Sequence, residues 1–251
     1  MKSEDIRKLL VDDYKDKVKA QEIDGELYIS GRKGWLKPLD DYFKNYSMLS
    51  ITTEVLREFK EARKKSDGVS GPTVNRNFAA LRRMFRLAQK QGRLMHVPYF
   101  PMDAESDARQ GFVEPAKFIK RRAAMPAGLR PTLQFLYDTG SRFGVCDQVK
   151  WEWVSLGQRT IEIPEGVTKT GKPITLPLST ELIKMLKRAP KDAPPFPTTN
   201  WRKEWIAACV KVGLGVKTGE QWYKYAGLVT HDLRRSAARN LTRGARRRRK
   251  Q

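Results

Sequence analysis

The chain predicts a mainly α-helical protein with a small antiparallel β-sheet, arranged as two domains. Three observations predict it. Apolar residues keep helical spacing through most of the first hundred positions. Short β-rich segments follow one another between residues 149 and 178. Prolines at positions 98, 101 and 115 interrupt both patterns between them. The boundaries expected are a helical domain over residues 1–102, a linker over 103–115 and a second domain over 116–251. A chain of 251 residues is long enough to bury a core in each.

Ser3-Glu4-Asp5-Ile6 opens the first helix, which should run to about Ala20 with Ile6, Leu9, Leu10 and Tyr14 on one face. Glu26 to Ser30 reads either as a strand or as loop. Trp35 to Tyr46 is a helix pattern with Trp35, Leu36, Leu39, Tyr42 and Phe43 turned inward. Thr52 or Thr53 can cap the next helix, whose apolar face is Val55, Leu56 and Phe59. Pro72 suits a helix start, because the N–H it lacks has no partner there. From Val74 through Phe78, Leu81, Met84, Phe85 and Ala88 the spacing stays helical until Gly92. These elements make a small helical bundle. In the linker, Asp103, Glu105 and Asp107 should keep the chain hydrated and extended.

The second domain begins with helices over Pro115 to Ala124 and Leu129 to Thr139. Val149 to Val154, Thr160 to Ile163 and Ile174 to Leu178 suit a small antiparallel sheet, with Gly171 turning the chain between the last two. Ser179 caps a helix to about Lys187. Pro190 to Pro197 is loop, Trp201 to Val212 is helix, and Thr230 caps the segment that bears His231 and Arg234.

Lys and Arg number 50 against 28 acidic residues, a formal net charge of +22. Such an excess calls for a polyanion, with nucleic acid ahead of an anionic membrane surface. No apolar run approaches the roughly 20 residues of a membrane span. Two cysteines and two histidines support neither a disulfide framework nor a multi-ligand metal centre. A reducing cytoplasm fits this usage.

Four residues carry the chemistry. Arg142 lies in Asp138-Thr139-Gly140-Ser141-Arg142, and a guanidinium can hold two phosphate oxygens at once. Lys169 lies in Thr168-Lys169-Thr170-Gly171-Lys172, at an expected hairpin turn. His231 and Arg234 lie one helical turn apart in Thr230-His231-Asp232-Leu233-Arg234-Arg235, so both can face one phosphate. Taken singly, each reads equally as a surface charge, a turn lysine or a helix-start histidine. A basic stripe on one helix, Arg76, Arg82, Arg83 and Arg86 with Lys90 and Arg93, reads as a DNA-contacting face or as a solvated one.

The order and local contexts of these motifs resemble the catalytic domain of the tyrosine recombinases, the phage integrase family. Thr73 to Phe85 resembles that family's core-binding domain. The resemblance extends over about residues 35–243. It implies a helical clamp on duplex DNA followed by an α+β catalytic domain. It also implies site-specific strand exchange through a 3′-phosphotyrosine, without a metal or other cofactor. In those terms Arg142 and Arg234 hold the scissile phosphate, Lys169 protonates the 5′-oxygen and His231 assists. Arg76, Arg82, Arg83, Arg86 and Lys172 contact DNA, and Lys172 is the substitute for Lys169. The implied partners are double-stranded DNA and other recombinase protomers, which form tetramers on DNA in the family; no membrane is involved. The implied setting is the cytoplasm of a prokaryotic cell, or a phage-encoded protein acting there. Where relatives carry an acid three positions after the first arginine, this chain has Val145.

After Arg243 the family pattern breaks. Gly244 to Gln251 is an arginine run that reads as tail rather than helix, and Tyr223 and Tyr225 precede the second-arginine motif. The sequence reading is therefore an integrase truncated before its nucleophilic tyrosine, binding DNA but catalytically incomplete. The alternative is a non-catalytic basic DNA- or RNA-binding protein.

Overall fold

The computed structural model describes residues 3–16, 20–23, 26–29, 32–33, 36–105, 111–167 and 171–248. Ser30, Trp35, Asp107 and Lys169, named above, lie outside these residues. The chain divides into two compact units, Met1–Asp107 and Ala108–Gln251.

In the first unit, α1 (Ser3–Asp16) is followed by β1 (Ala20–Ile23), β2 (Glu26–Ile29) and β3 (Arg32–Lys33). These strands form an antiparallel meander with Gln21 opposite Tyr28 and Ile29 opposite Arg32. One expectation is corrected here and one alternative resolved. Ala20, expected at the end of the first helix, belongs to β1, and the strand offered at Glu26 to Ser30 is present as Glu26–Ile29 in a three-stranded sheet beside the helices. Only Glu26–Ile29 carries apolar alternation, so β1 and β3 owe their pairing to their neighbour rather than to their own composition.

Then come α2 (Lys37–Phe43), α3 (Thr53–Asp67) and α4 (Gly71–Lys90). The Thr52 hydroxyl accepts the Val55 N–H to cap α3, and Gly68 ends it in the left-handed region at φ 60°. Leu10, Phe43, Leu56, Phe59, Phe78 and Phe85 meet in one core, which also takes in Phe100. The residues after Phe100 are pinned rather than loosely extended. Asn75 donates to the Asp103 carbonyl (2.9 Å) and accepts its N–H (2.9 Å). The Asp103 carboxylate meets Lys60 at 2.8 Å and Lys64 at 2.7 Å. Those hydrogen bonds hold the carboxyl below the usual carboxylate range.

The second unit begins with α5 (Pro115–Ala124), α6 (Arg130–Thr139) and α7 (Phe143–Cys146). Strands β4 (Val154–Ser155), β5 (Thr160–Ile163) and β6 (Ile174–Pro177) form the expected antiparallel sheet in that order. Ile161 stands opposite Val154 on one side and Leu176 on the other. Only the end of the Val149–Val154 segment is strand, since Trp151–Trp153 is a 3-10 turn. Next come α8 (Thr180–Arg188), capped by the Ser179 hydroxyl, and α9 (Trp201–Lys211). Strands β7 (Gly215–Lys217) and β8 (Tyr225–Gly227) pair as a hairpin, and α10 (His231–Arg248) follows.

The β7–β8 hairpin was not foreseen from the sequence. Nor was the reach of α10, which continues to Arg248 where a non-helical tail was expected. Arginine is a good helix former, and a helix already anchored by packing propagates at little cost through a lone glycine. The core gathers Leu133, Phe135, Ile161, Leu182, Phe196 and Cys209, with Phe135 and Phe196 stacked at 4.3 Å. Cys146 and Cys209 are buried and unbridged, and burial pushes the Cys146 thiol up to about 12. Among the described residues no helix is long and apolar enough to cross a membrane.

Candidate phosphate-gripping site

The site is built where α6 ends. Gly140 closes the helix in the left-handed region at φ 65°, its N–H bonded to the Leu136 carbonyl at 3.0 Å. A side chain there would be strained by that backbone. It would also bring a Cβ to 3.0 Å from the Ala237 Cβ on α10. Glycine thus lets the turn and the last helix touch. Thr139 steadies the turn by donating to the Phe135 carbonyl (2.7 Å) and accepting the Ser141 N–H (3.1 Å). Asp138 accepts from Ser179 (2.6 Å) and Gln134 (2.8 Å), and its burial raises its pKa. Arg142 emerges from this turn as the N-cap residue of α7, with its side chain exposed.

The start of α10 is held as firmly. Asp232 is fully buried; its carboxylate accepts the Val229 N–H (2.9 Å) and meets Arg235 (3.1 Å). The Thr230 hydroxyl, expected as the cap, accepts the Trp201 indole N–H at 2.9 Å. His231 and Arg234 are left exposed on the opposite side of that anchorage.

One bond joins the two arginine motifs. Arg234 donates from Nη1 to the Gly140 carbonyl at 2.6 Å, across 94 residues of sequence. Ser141, His231 and Arg234 line a single cavity of about 530 Å³, whose other walls include Phe143, Trp201, Trp205, Tyr223 and Tyr225. Arg142 is the next residue after Ser141. Among the residues expected to act together, His231 and Arg234 share this cavity, and Arg234 is tied to the Gly140 turn that precedes Arg142; the exposed Arg142 itself does not line the cavity. Lys169 lies outside the described residues. Lys172 is described: it follows the left-handed Gly171, in a turn closed by the Gly166 N–H on the Gly171 carbonyl, and it does not line the cavity. Asp147, two positions beyond Val145, accepts from Thr198.

In the first unit, Arg76, Arg82 and Arg86 are exposed. Arg82, Arg83, Arg86 and Lys90 line one groove together with Asp13 and Tyr14, and Arg76 is not part of that groove. Arg83 is already engaged, with its Nη2 at 2.5 Å from the Asp13 carboxylate and its guanidinium 5.4 Å from the Tyr14 ring centre.

Two features escaped the sequence reading. Arg121 is fully buried, none of its guanidinium nitrogens has a hydrogen-bond partner, and it lies against the Trp205 ring. Desolvation lowers its pKa to about 10, so it stays charged at neutral pH. Within Lys120-Arg121-Arg122 it looks like one more surface cation, and no local signal marks it. Trp222 and Tyr223 stand exposed at the tip of the β7–β8 hairpin, and an aromatic pair inside a polar stretch was the available signal.

The fold is mainly α with a small antiparallel sheet, and the two arginine motifs meet at the Arg234–Gly140 bond. Residues 116–246 match the sequence model of the Phage integrase family, more than half of the chain. The chain belongs to the phage integrase family. Among solved structures it is similar to a lambda integrase dimer bound to a COC′ core site, at 18% identity and TM-score 0.61. That match covers 82% of this chain and 61% of lambda integrase, so this chain spans less than two thirds of the relative. The XerH site-specific recombinase bound to palindromic difH substrate matches at 17% identity and TM-score 0.59, over 84% of this chain and 68% of that one. The Tn1549 transposon integrase in complex with circular intermediate DNA matches at 15% identity and TM-score 0.58, over 83% and 78%. At these identities the likeness is one of fold. No curated protein matches the chain in sequence.

Proposed function

We propose that this protein binds double-stranded DNA and acts in site-specific DNA recombination, gripping one backbone phosphate at the cavity between α6 and α10. The observation that carries the reading is the Arg234–Gly140 bond. It uses one of the five N–H donors of the guanidinium and fixes the group beside the Arg142 turn, leaving the remaining donors for phosphate oxygens. Arg234, so positioned, and Arg142 beside it would neutralise the charge on the non-bridging oxygens of the phosphate. His231 would add a hydrogen bond from the same helix face. Lys169 would bring an ammonium proton donor to the 5′-oxygen of the same linkage. The net charge of +22 and the α4 groove supply the sequence-independent part of the affinity. On this reading the protein works in the cytoplasm with further recombinase protomers as partners.

The rival is a basic nucleic-acid-binding protein that uses charge alone. A nicked duplex with and without orthovanadate at the nick separates them. Arg142→Ala should lower affinity for the vanadate-loaded nick by about ten-fold or more relative to the intact duplex. Arg82→Ala should weaken both equally and reduce the salt slope by about one unit. Equal behaviour of the two variants would leave the charge-only reading.

A further inference from the structure

The β7–β8 hairpin carries a feature that phosphate gripping does not use. Its base is rigid. The Tyr225 hydroxyl bonds the Leu228 carbonyl at 3.0 Å and the Leu214 carbonyl at 3.4 Å. Gly215 and Gly227 face each other across the strands, and a Cβ on either would fall 2.3 Å from the Tyr225 ring or hydroxyl. The strands can close on that ring only because both positions are glycine.

The tip is built differently. The Lys224 N–H bonds the Gln221 carbonyl at 2.9 Å, closing a turn whose two central residues are Trp222 and Tyr223. Central turn positions favour Gly, Pro, Asn, Asp and Ser, which meet the backbone demands without exposing apolar surface. Here they hold two large rings, 45% and 44% exposed, edge to face at 5.8 Å. The Arg202 guanidinium lies 6.0 Å from the Trp222 ring centre, and Arg202 and Tyr223 both line the cavity that holds His231 and Arg234. Beside Arg202, the residues that flank the tip in sequence are Lys217 and Lys224 against Glu220.

We propose that Trp222 and Tyr223 form a stacking platform for an unpaired nucleobase adjoining the gripped phosphate. This rests on the phosphate-gripping reading of the cavity. Exposed aromatic faces amid cations bind nucleobases, whose π-faces stack without regard to sequence. A base inside an intact duplex has both faces covered and cannot use such a platform. A base beside a strand break, or one displaced from its pair, has a free face, and Tyr223 stands on the wall of the cavity where the break would be made. The excess of cations favours a polyanion over a second protein surface.

The test uses the full chain and two duplexes, one fully paired and one with a single unpaired 2-aminopurine beside a nick. Wild type should bind the second at least as well as the first and quench the 2-aminopurine fluorescence. Trp222→Ala should lose about ten-fold in affinity for the unpaired duplex, lose most of the quenching, and bind the paired duplex within about two-fold of wild type. Trp222→Phe, which keeps a ring, should retain quenching. The platform is refuted if Trp222→Ala weakens both duplexes equally, changes neither, or alters the oligomeric state instead, the last marking a protein contact. Failure of wild type to bind even the paired duplex would instead sink the underlying DNA-binding reading.

Discussion

The two units differ in how they hold the cations at their grooves. In the first, cations are met by carboxylates: Arg83 by Asp13, Lys60 and Lys64 by Asp103, Arg7 by Asp40. In the second, Arg122, Arg235 and Arg239 also meet carboxylates, but Arg234 at the cavity meets the main-chain carbonyl of Gly140. A carboxylate positions a guanidinium and cancels its charge. A carbonyl positions it and leaves the charge intact. Local geometry therefore decides how much of the +22 is available to a polyanion, and it is most available where two arginine motifs converge.

The sharpest way to break this contrast is to separate the two arginine motifs. Gly140→Val imposes a left-handed β-branched residue and drives a side chain into Ala237. It should destabilise the second unit by about 3 kcal/mol, seen as a lowered thermal midpoint. A smaller effect of opposite sign should come from Arg121, whose buried guanidinium lies on the Trp205 ring with no hydrogen-bond partner among the described residues. Arg121→Met should stabilise by roughly 2 kcal/mol in denaturant titrations. Because the folded pKa is depressed to about 10, the penalty it relieves is present at every lower pH and fades only as pH climbs from there toward 12.5. The gain should therefore be constant across the neutral range.

Charge cancellation itself is tested by a pair of variants on one helix. Arg82→Ala should flatten the dependence of log affinity on log salt by about one unit, and Arg83→Ala by less than half of that. Equal slopes would mean that Asp13 does not neutralise Arg83. The smallest effect concerns Asp103. Its pKa is depressed from 3.8, so the stability it lends is complete above that value and is lost as pH falls through the lower folded value. Melting curves of wild type and Asp103→Asn should differ by a fixed amount at neutral pH and converge on strong acidification.

Much of this was legible beforehand, for identifiable reasons. Helices α3, α4, α6 and α9 announce themselves through apolar periodicity and stop signals such as Gly68 and Gly140. The sheet of β4, β5 and β6 follows from alternation in Thr160–Ile163 and Ile174–Pro177. The family, and with it the set of motifs, was readable from residue order. What stayed hidden depends on partners distant in sequence. Strands β1 and β3 are too short and polar to declare themselves. The burial of Arg121 is decided by α9, more than 75 residues later, and nothing in its neighbours marks it. The β7 and β8 strands have three residues each, too few to show alternation, and Trp222 and Tyr223 hold the central turn positions where other residues are usual. Local reading also favoured Thr230 as a helix cap, but Trp201 claims its hydroxyl.

The Val113 N–H, near the beginning of the second unit, is satisfied by the Ser236 hydroxyl at 2.8 Å, which in turn donates to the Asp232 carbonyl at 2.7 Å. The segment before α5 and helix α10 are thereby sewn together across 123 positions. During synthesis, the opening stretch of this unit must wait, its N–H bonded to water, until Ser236 has left the ribosome. The first unit has no such debt to later sequence among its described bonds, and it can mature while its neighbour is still being made.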